Sequence, residues 1–132
     1  MNSYLEYLAE NRNTLPLEEA DEIFRALAAG VDPQDEDLAE LYADFLERAR
    51  EYADIRGRWL LMDRAGREAA DAGRTAMHDR FITAVRVLAR MQEKMGKDVS
   101  WLERLEGPEE LRRKRIGDFA CWVMLFYGLN AR

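Results

Sequence analysis

An uncharged apolar run near the carboxyl end of the chain constrains the fold more than any other feature. Residues 119–129 read FACWVMLFYGL, 11 residues without a charged side chain. A helix that is apolar on every side is normally buried in a protein core. The run is too short to span a membrane, which takes about 20 residues, and an interfacial helix should carry charge along one whole face. We therefore expect the central helix of a small core and no membrane attachment.

Signals for helix ends recur along the chain. Serine, threonine, aspartate or proline stands before each predicted helix, often with acidic residues in its first turn, as is typical of helix N-termini. The predicted starts are Ser3 with Glu6, Thr14 with Pro16, Asp32 with Pro33, Asp63, Ser100 with Glu103, and Pro108 with Glu109. Gly30 and Gly96 are predicted to end helices, and the stretch from Gly66 to Gly73 to interrupt one.

Signals for strands are scarce, because no segment of four to eight residues alternates convincingly between β-branched and polar residues. The sequence therefore predicts an all-α fold, a compact helical bundle of about five or six helices. At 132 residues and 48% apolar content, the chain fits one domain over residues 1–132.

Charge is unevenly distributed along the chain. Residues 1–47 carry 13 Asp or Glu and 2 Arg, a net of −11, whereas residues 48–132 carry 13 acids and 18 Lys or Arg, a net of +5. Such a difference predicts that the acidic N-terminal third packs against the more basic remainder, or that each attracts a partner of opposite charge. For a basic protein partner, the candidate acidic surface consists of Asp35, Glu36, Asp37 and Glu40.

One aspartate interrupts the apolar surroundings of the last helix. In helical projection Asp118 shares a strip with Cys121 and Trp122, which should face the core. An ionised carboxylate in that place needs a partner. We expect Asp118 to be at least half buried and to form a polar network with Arg56 or Arg74, or with the histidine described next.

The chain has a single histidine, His78, and carboxylates flank it. Asp71 lies on the same helical strip, Asp79 is the next residue, and Asp118 is the expected core acid. A histidine beside carboxylates can act as a general base, with a carboxylate orienting its ring. The alternative is a charge network without catalysis, and we favour that alternative. These four residues are therefore only weak catalytic candidates.

The composition predicts no metal ion and no cofactor. One Cys and one His cannot build an ordinary zinc site, and no Glu stands three residues before His78 as in di-iron bundles. Glycine-rich phosphate loops and EF-hand spacing are also absent from the sequence. The one cysteine, Cys121, excludes an intrachain disulfide and suits a reducing cytoplasm.

Basic residues offer a nucleic-acid alternative. Arg112, Arg113, Lys114 and Arg115 form a consecutive basic patch, and further arginines surround Trp59, which is able to stack on a base. The pI near 4.9 opposes this reading, since a basic footprint normally dominates the charge of a nucleic-acid-binding domain.

Several segments together carry a resemblance. They are IRGRW (55–59), RTAMHDRFI (74–82), LARM (88–91), GKDVSW (96–101), RKRIGDFACWV (113–123) and GLNAR (128–132). In these segments the chain resembles a group of small helical bacterial proteins of unknown function, some carried on mobile elements. The resemblance covers roughly the C-terminal two thirds and implies no activity, so no catalytic residue is carried over. It draws attention to residues 56–79 and 112–119.

The sequence as a whole indicates a cytoplasmic, non-enzymatic module for protein interaction or regulation. We expect a protein partner, with a homodimer as one form that the partnership can take. The alternatives are a nucleic-acid-associated protein that uses the basic patch and a hydrolase-like or small-molecule site around His78.

Overall fold

A computed structural model describes residues 14–59 and 61–130 of the chain. The helix predicted to begin at Ser3 lies outside these residues. The described residues form five α-helices and one 3₁₀ turn, with no strand among them. The helices are α1 (Leu17–Ala29), α2 (Glu36–Trp59), α3 (Arg64–Lys94), α4 (Ser100–Glu106) and α5 (Arg112–Asn130), and the 3₁₀ turn, Glu109–Leu111, leads directly into α5. The prediction of a compact all-α bundle is confirmed.

The last helix, α5, is the centre of the core. Every residue from 115 to 123 is buried, and α5 contacts all four other helices. Phe119 packs with Phe45 of α2 and Phe81 of α3, with the ring centroids of each pair 5.6–6.5 Å apart. Residues 119–123 and Phe126 of the apolar run therefore lie in the interior of the bundle, whereas Tyr127 and Gly128 are exposed. None of the helices in the described ranges is long and apolar enough to span a bilayer.

The acidic helix α2 begins later than the sequence indicated. Asp32 and Pro33 belong to a separate turn, in which the amide of Asp35 donates to the carbonyl of Asp32. The carboxylate of Asp35 then accepts a hydrogen bond from the amide of Leu38 at 3.1 Å, which caps the first turn of α2. The predicted start at Asp32 is therefore wrong by one turn, because two aspartates three residues apart both have capping chemistry.

Helix α3 is continuous, so the predicted interruption between Gly66 and Gly73 is wrong. Asp63 caps the helix as predicted, and its carboxylate accepts a hydrogen bond from the amide of Gly66 at 2.7 Å. Both glycines lie within the helical backbone, and Gly73 lies beside Ile55 of α2. The helix ends where Gly96 takes a positive φ of 77°, which confirms the predicted stop.

The capping box predicted for α4 is also absent. Ser100 is the first helical residue, and its amide and hydroxyl both bond the carboxylate of Asp98, at 3.0 and 3.1 Å. The carboxylate of Asp98 thus accepts from the amide of Ser100, the bond that the predicted capping box assigned to the side chain of Glu103.

Arg115 ties the acidic and basic parts of the chain together. Its guanidinium donates to the carbonyl oxygens of Thr14, Arg104 and Leu105 at 2.7–3.0 Å and forms an ion pair with Glu19. The side chain is buried, with 7% of the residue exposed. Residues 14–47, the described part of the acidic third, therefore contact the more basic remainder through this side chain.

A buried amide holds α3 to α1 and α4. Gln92 is fully buried, donates to the carbonyl of Leu27 at 2.9 Å and accepts from the indole of Trp101 at 3.0 Å. A Cβ at Gly30 would come within 2.7 Å of this amide, so glycine is needed there for close approach. Together with Arg115, this network fixes the bundle around α5.

Candidate functional site

A polar cleft lies where α2, α3 and α5 meet. Its volume is about 320 Å³, and seven residues line it: Tyr52 and Arg56 from α2, Arg74, Thr75 and His78 from α3, and Arg113 and Lys114 from α5. Four of the seven side chains are cationic and none is acidic. We call this site the cationic cleft.

Glycine in the middle of a helix makes the floor of the cationic cleft possible. The rings of Tyr52 and His78 meet edge to face against α5 at Gly117. A Cβ at Gly117 would lie 3.0 Å from the Tyr52 hydroxyl and 3.3 Å from Cδ2 of His78. Because Gly117 has no side chain, both rings can approach the backbone of α5.

This close approach fixes the tautomer of His78. Its Nε2 lies 2.7 Å from the carbonyl oxygen of Arg113. Since a carbonyl only accepts, Nε2 carries the proton and donates it, which leaves a lone pair on Nδ1 of the neutral ring. The Nδ1 atom is buried and has no hydrogen-bond partner among the described residues.

The surroundings of His78 keep its ring neutral. The residue is 5% exposed, and burial lowers its pKa below the ordinary value because the charged form loses hydration. The backbone bond to Arg113 and the carboxylate of Asp79 raise the pKa, whereas the charges of Arg113 and Arg56 lower it, and the net shift is downward. Near neutral pH the ring therefore presents an acceptor.

The arginines on the α2–α3 side are held in place by aromatic rings. Arg56 donates to the Tyr52 hydroxyl at 3.3 Å. The guanidinium carbon of Arg74 lies 4.5 Å from the ring centroid of Trp59, a cation–π contact, and the same group forms an ion pair with Asp71. Burial raises the pKa of Tyr52, an effect that the charge of Arg56 opposes, so the phenol keeps its proton.

Asp118 lies deeper than the cleft, in the core, and is 1% exposed. The pKa of the neighbouring Cys121 thiol is raised to about 12, mainly by burial and also by the charge of Asp118, while the charge of Arg56 acts in the opposite direction. Asp118 and Arg56 therefore act on the same buried thiol with opposite sign. The thiol is unreactive at neutral pH, because the thiolate is the reactive form.

The structure brings some of the predicted site residues together and separates others. Arg56, Arg74 and His78 line one cleft, whereas Asp118, the centre of the predicted polar network, lies in the core. Asp71 and Asp79 do not hold the His78 ring, since each is exposed and paired with an arginine. The ring is oriented by a backbone carbonyl instead of a carboxylate, so the catalytic arrangement considered for His78 is not formed.

The predicted four-residue basic patch is also divided. Arg113 and Lys114 line the cationic cleft, Arg112 lines a separate groove with Arg86, Arg90 and other residues, and Arg115 points into the core. A continuous patch is wrong because consecutive residues of a helix lie about 100° apart around its axis.

The acidic surface is at the other end of α2. Glu36, Asp37 and Glu40 are exposed, whereas Asp35 is half-buried as the cap. Since α2 rises about 1.5 Å per residue, this surface is about 25 Å from Arg56. Its acids complement the positive end of the helix dipole, and its protein partner stays a prediction.

Sequence reasoning missed three residues of the cleft. Tyr52, Thr75 and Gly117 were not among the candidate residues that the sequence indicated. The available signal was the spacing of Tyr52 and Arg56, four residues apart on one helical face. The contact of Gly117 with two other helices had no signal in the sequence.

Within the described residues, no group of three or more His, Cys, Asp or Glu side chains is placed to hold a metal ion. No protein-family model matches the chain, and neither the curated proteins nor the solved structures contain a match. The resemblance to small bacterial helical proteins stays a prediction.

Proposed function

We propose that this protein is a non-enzymatic binding module that takes a small anion, such as a phosphate or carboxylate compound, into the cationic cleft. One observation carries the proposal: three helices place four cationic side chains, two hydroxyl groups and a histidine around a single cavity without an acidic side chain in its lining. Cationic groups that converge on a partly enclosed space favour an anionic ligand.

Two features favour a bound ligand over a purely structural cluster. Lys114 is exposed and forms no ion pair with any residue that the structure describes. The Nε atom of Arg74 is buried, and no hydrogen-bond partner lies within reach in the described ranges. An anion in the cleft would give Lys114 a partner, beside Arg74 and Arg113, which already form ion pairs with Asp71 and Asp79.

A small anion suits the surrounding charges better than nucleic acid does. Outside the cleft, the arginines near Trp59 are already paired within their own helices, Arg58 with Asp54 and Arg64 with Glu68. The chain also has a net charge of −6. A polyanion would have to compete with these pairs and with the net negative charge of the chain, so the nucleic-acid alternative has less support.

The proposed role is regulatory, since binding of a ligand would hold three helices in one arrangement. We place the protein in the cytoplasm, whose reducing conditions suit its one buried thiol. A protein partner and a homodimer stay predictions.

Isothermal titration calorimetry with inorganic phosphate and a panel of small carboxylates tests the proposal. We expect saturable binding of at least one anion, weakened about fivefold or more in Lys114→Gln, because one charge-assisted contact is worth about 1 kcal/mol or more. Lys97→Gln is the matched control, since Lys97 is exposed on the loop after α3 and should bind as the wild type does. Absence of binding across the panel, or equal weakening in both variants, would overturn the proposal.

A further inference from the structure

Four cationic side chains line the cationic cleft, but two of them are paired with carboxylates that lie outside it. Resting on the proposed function, we infer that these carboxylates, Asp71 and Asp79, set the charge of the cleft so that it takes a ligand with one negative charge, of the small monocarboxylate class, in preference to a dianion. The juxtaposition that carries this inference is an exposed aspartate bonded to each of two arginines of the lining.

The two ion pairs have the same geometry. A terminal guanidinium nitrogen of Arg74 lies 3.1 Å from the carboxylate of Asp71, and one of Arg113 lies 3.1 Å from that of Asp79. Neither aspartate belongs to the lining of the cleft, since Asp71 lines the groove beside Trp59 and Asp79 lines a groove between α2 and α3. Each aspartate side chain is 59% exposed. Two of the four positive charges are therefore offset from outside before a ligand enters.

The other two cations of the cleft differ from each other. Arg56 already has contacts within the bundle, among them the hydrogen bond that it donates to the Tyr52 hydroxyl at 3.3 Å. Lys114 is exposed and forms no ion pair in the part of the chain that the structure describes. Because the ammonium group of Lys114 is open to solvent, a ligand in the cleft can reach it. One negative charge on the ligand would match this one cation.

A second negative charge on the ligand would gain less than it loses. The attraction between a ligand and a fixed cation rises in proportion to the charge of the ligand, whereas the free energy of removing the ligand from water rises with the square of that charge. Three helices enclose the cleft in part, so a ligand there gives up some of its hydration. The second charge would also lie near Asp71 and Asp79, which repel it. A monoanion therefore suits the cleft better than a dianion does.

Succinate and succinamate are a matched pair of probes for this preference. They share one carbon chain, and an uncharged amide in succinamate replaces the second carboxylate of succinate. In calorimetric titrations of the wild-type protein near neutral pH and at low ionic strength, we expect succinamate to bind at least as tightly as succinate. Tighter binding of succinate would overturn the inference and leave the anion-binding function intact. Failure of both probes would also overturn it, while the wider panel of anions decides the proposed function separately.

Removing either aspartate should change the preference in a defined direction. Asp79→Asn keeps the size of the side chain and removes its charge, so the positive charge of Arg113 is no longer offset. Relative to succinamate, succinate should gain about threefold or more in affinity, because its second carboxylate then meets a second cation. Asp71→Asn should act in the same way through Arg74. Both aspartates are exposed, so both variants should fold as the wild type does.

Asp21→Asn is the matched control for these variants. Asp21 lies on α1, pairs with Arg25 at 3.0 Å, and neither residue lines the cationic cleft. The substitution makes the same change to the net charge of the chain, so it should leave the ratio of the two affinities unchanged. An equal shift of that ratio in Asp21→Asn, or no shift in Asp71→Asn and Asp79→Asn, would reject the role inferred for the two aspartates.

Discussion

Tyr52 and His78, from different helices, meet edge to face, with ring centroids 4.9 Å apart and ring planes at 78°. Both rings pack against the backbone of α5 at Gly117, which has no side chain to keep them away. This contact positions the Tyr52 hydroxyl and the imidazole within the cationic cleft. The geometry of the cleft therefore depends on the absence of one methyl group.

Replacing Gly117 with alanine tests that dependence. The new Cβ would lie 3.0 Å from the Tyr52 hydroxyl, so the rings must shift. Overpacking destabilises the folded state by about 1–3 kcal/mol, and the higher helix propensity of alanine stabilises it by about 1 kcal/mol. We expect Gly117→Ala to lower the free energy of unfolding by up to about 2 kcal/mol, as measured by urea denaturation.

Gly73→Ala is the matched control for that substitution. Gly73 also lies inside a helix, and its added Cβ would meet only Cδ1 of Ile55, at an ordinary contact distance of 3.9 Å. Alanine should stabilise the protein here by about 0.5–1 kcal/mol. If both variants are stabilised alike, the packing described for Gly117 is not the constraint on the cleft.

Arg115 gives the second prediction, a loss of stability that its position among other basic residues does not suggest. In Arg115→Met, three backbone carbonyls and Glu19 lose their donor in a largely buried place. Breaking a buried pair by removing one partner costs about 3–5 kcal/mol. We expect a loss of that order in chemical denaturation.

Arg113→Met is the comparison on the same helix. The Arg113 side chain is 63% exposed and pairs with an equally exposed Asp79, so its removal should cost less than about 1 kcal/mol. Similar losses of unfolding free energy in the two variants would contradict this prediction, which rests on the different burial of the two arginines.

The sequence predicted the features that depend on residues close together in the chain, and it missed those that depend on residues far apart in the chain. The central helix followed from the uncharged run at 119–129, and the cap at Asp63 from local chemistry. Both signals lie within a few residues of the feature that they specify. The predicted start of α2 was wrong because Asp32 and Asp35 have the same capping chemistry. Only three-dimensional packing selects between them.

The candidate site was predicted only in part, for a related reason. Asp118, His78 and two arginines were suspected because polar residues in apolar surroundings need partners. The partners themselves are distant in sequence: His78 bonds the backbone of Arg113, 35 residues away, and Arg115 bonds Thr14, 101 residues away. Backbone carbonyls are the same in every residue, so no sequence pattern marks which of them accepts these bonds.

The third prediction concerns pH. Burial lowers the pKa of His78 in the folded chain below the value of about 6.5 expected in the unfolded chain. Below about pH 6.5 the unfolded chain therefore binds a proton that the folded chain does not, so stability falls as the pH drops toward the folded-state pKa and levels off beneath it. The contribution is fully present above the unfolded-state pKa.

Urea denaturation between about pH 7.5 and 5, in a buffer without phosphate or sulfate, measures this effect. His78→Phe should show a smaller decline over the same range, since it has no imidazole to protonate, and the remaining slope reports carboxylates. A decline that is equally steep in the variant would assign the effect to other groups.

The fourth prediction concerns the hairpin formed by the end of α2 and the start of α3. Of the described residues between 58 and 77, none is buried, whereas the second half of α3 buries a continuous apolar stripe from Phe81 to Leu88. Segments with few buried contacts open locally at a lower free energy than the core does. Backbone amides of residues 64–76 should therefore exchange hydrogen faster than those of residues 81–92 of the same helix.

Hydrogen exchange followed by mass spectrometry measures this difference, and ligand binding supplies the internal control. Arg74 belongs to the hairpin and also lines the cationic cleft, so an anion that bridges α3 to α5 should slow exchange around Arg74. Exchange in residues 81–92 should change less, because those amides are already protected by the core. Uniform protection along α3 without ligand would contradict the prediction, since it would require the exposed first half of the helix to open only with the whole bundle.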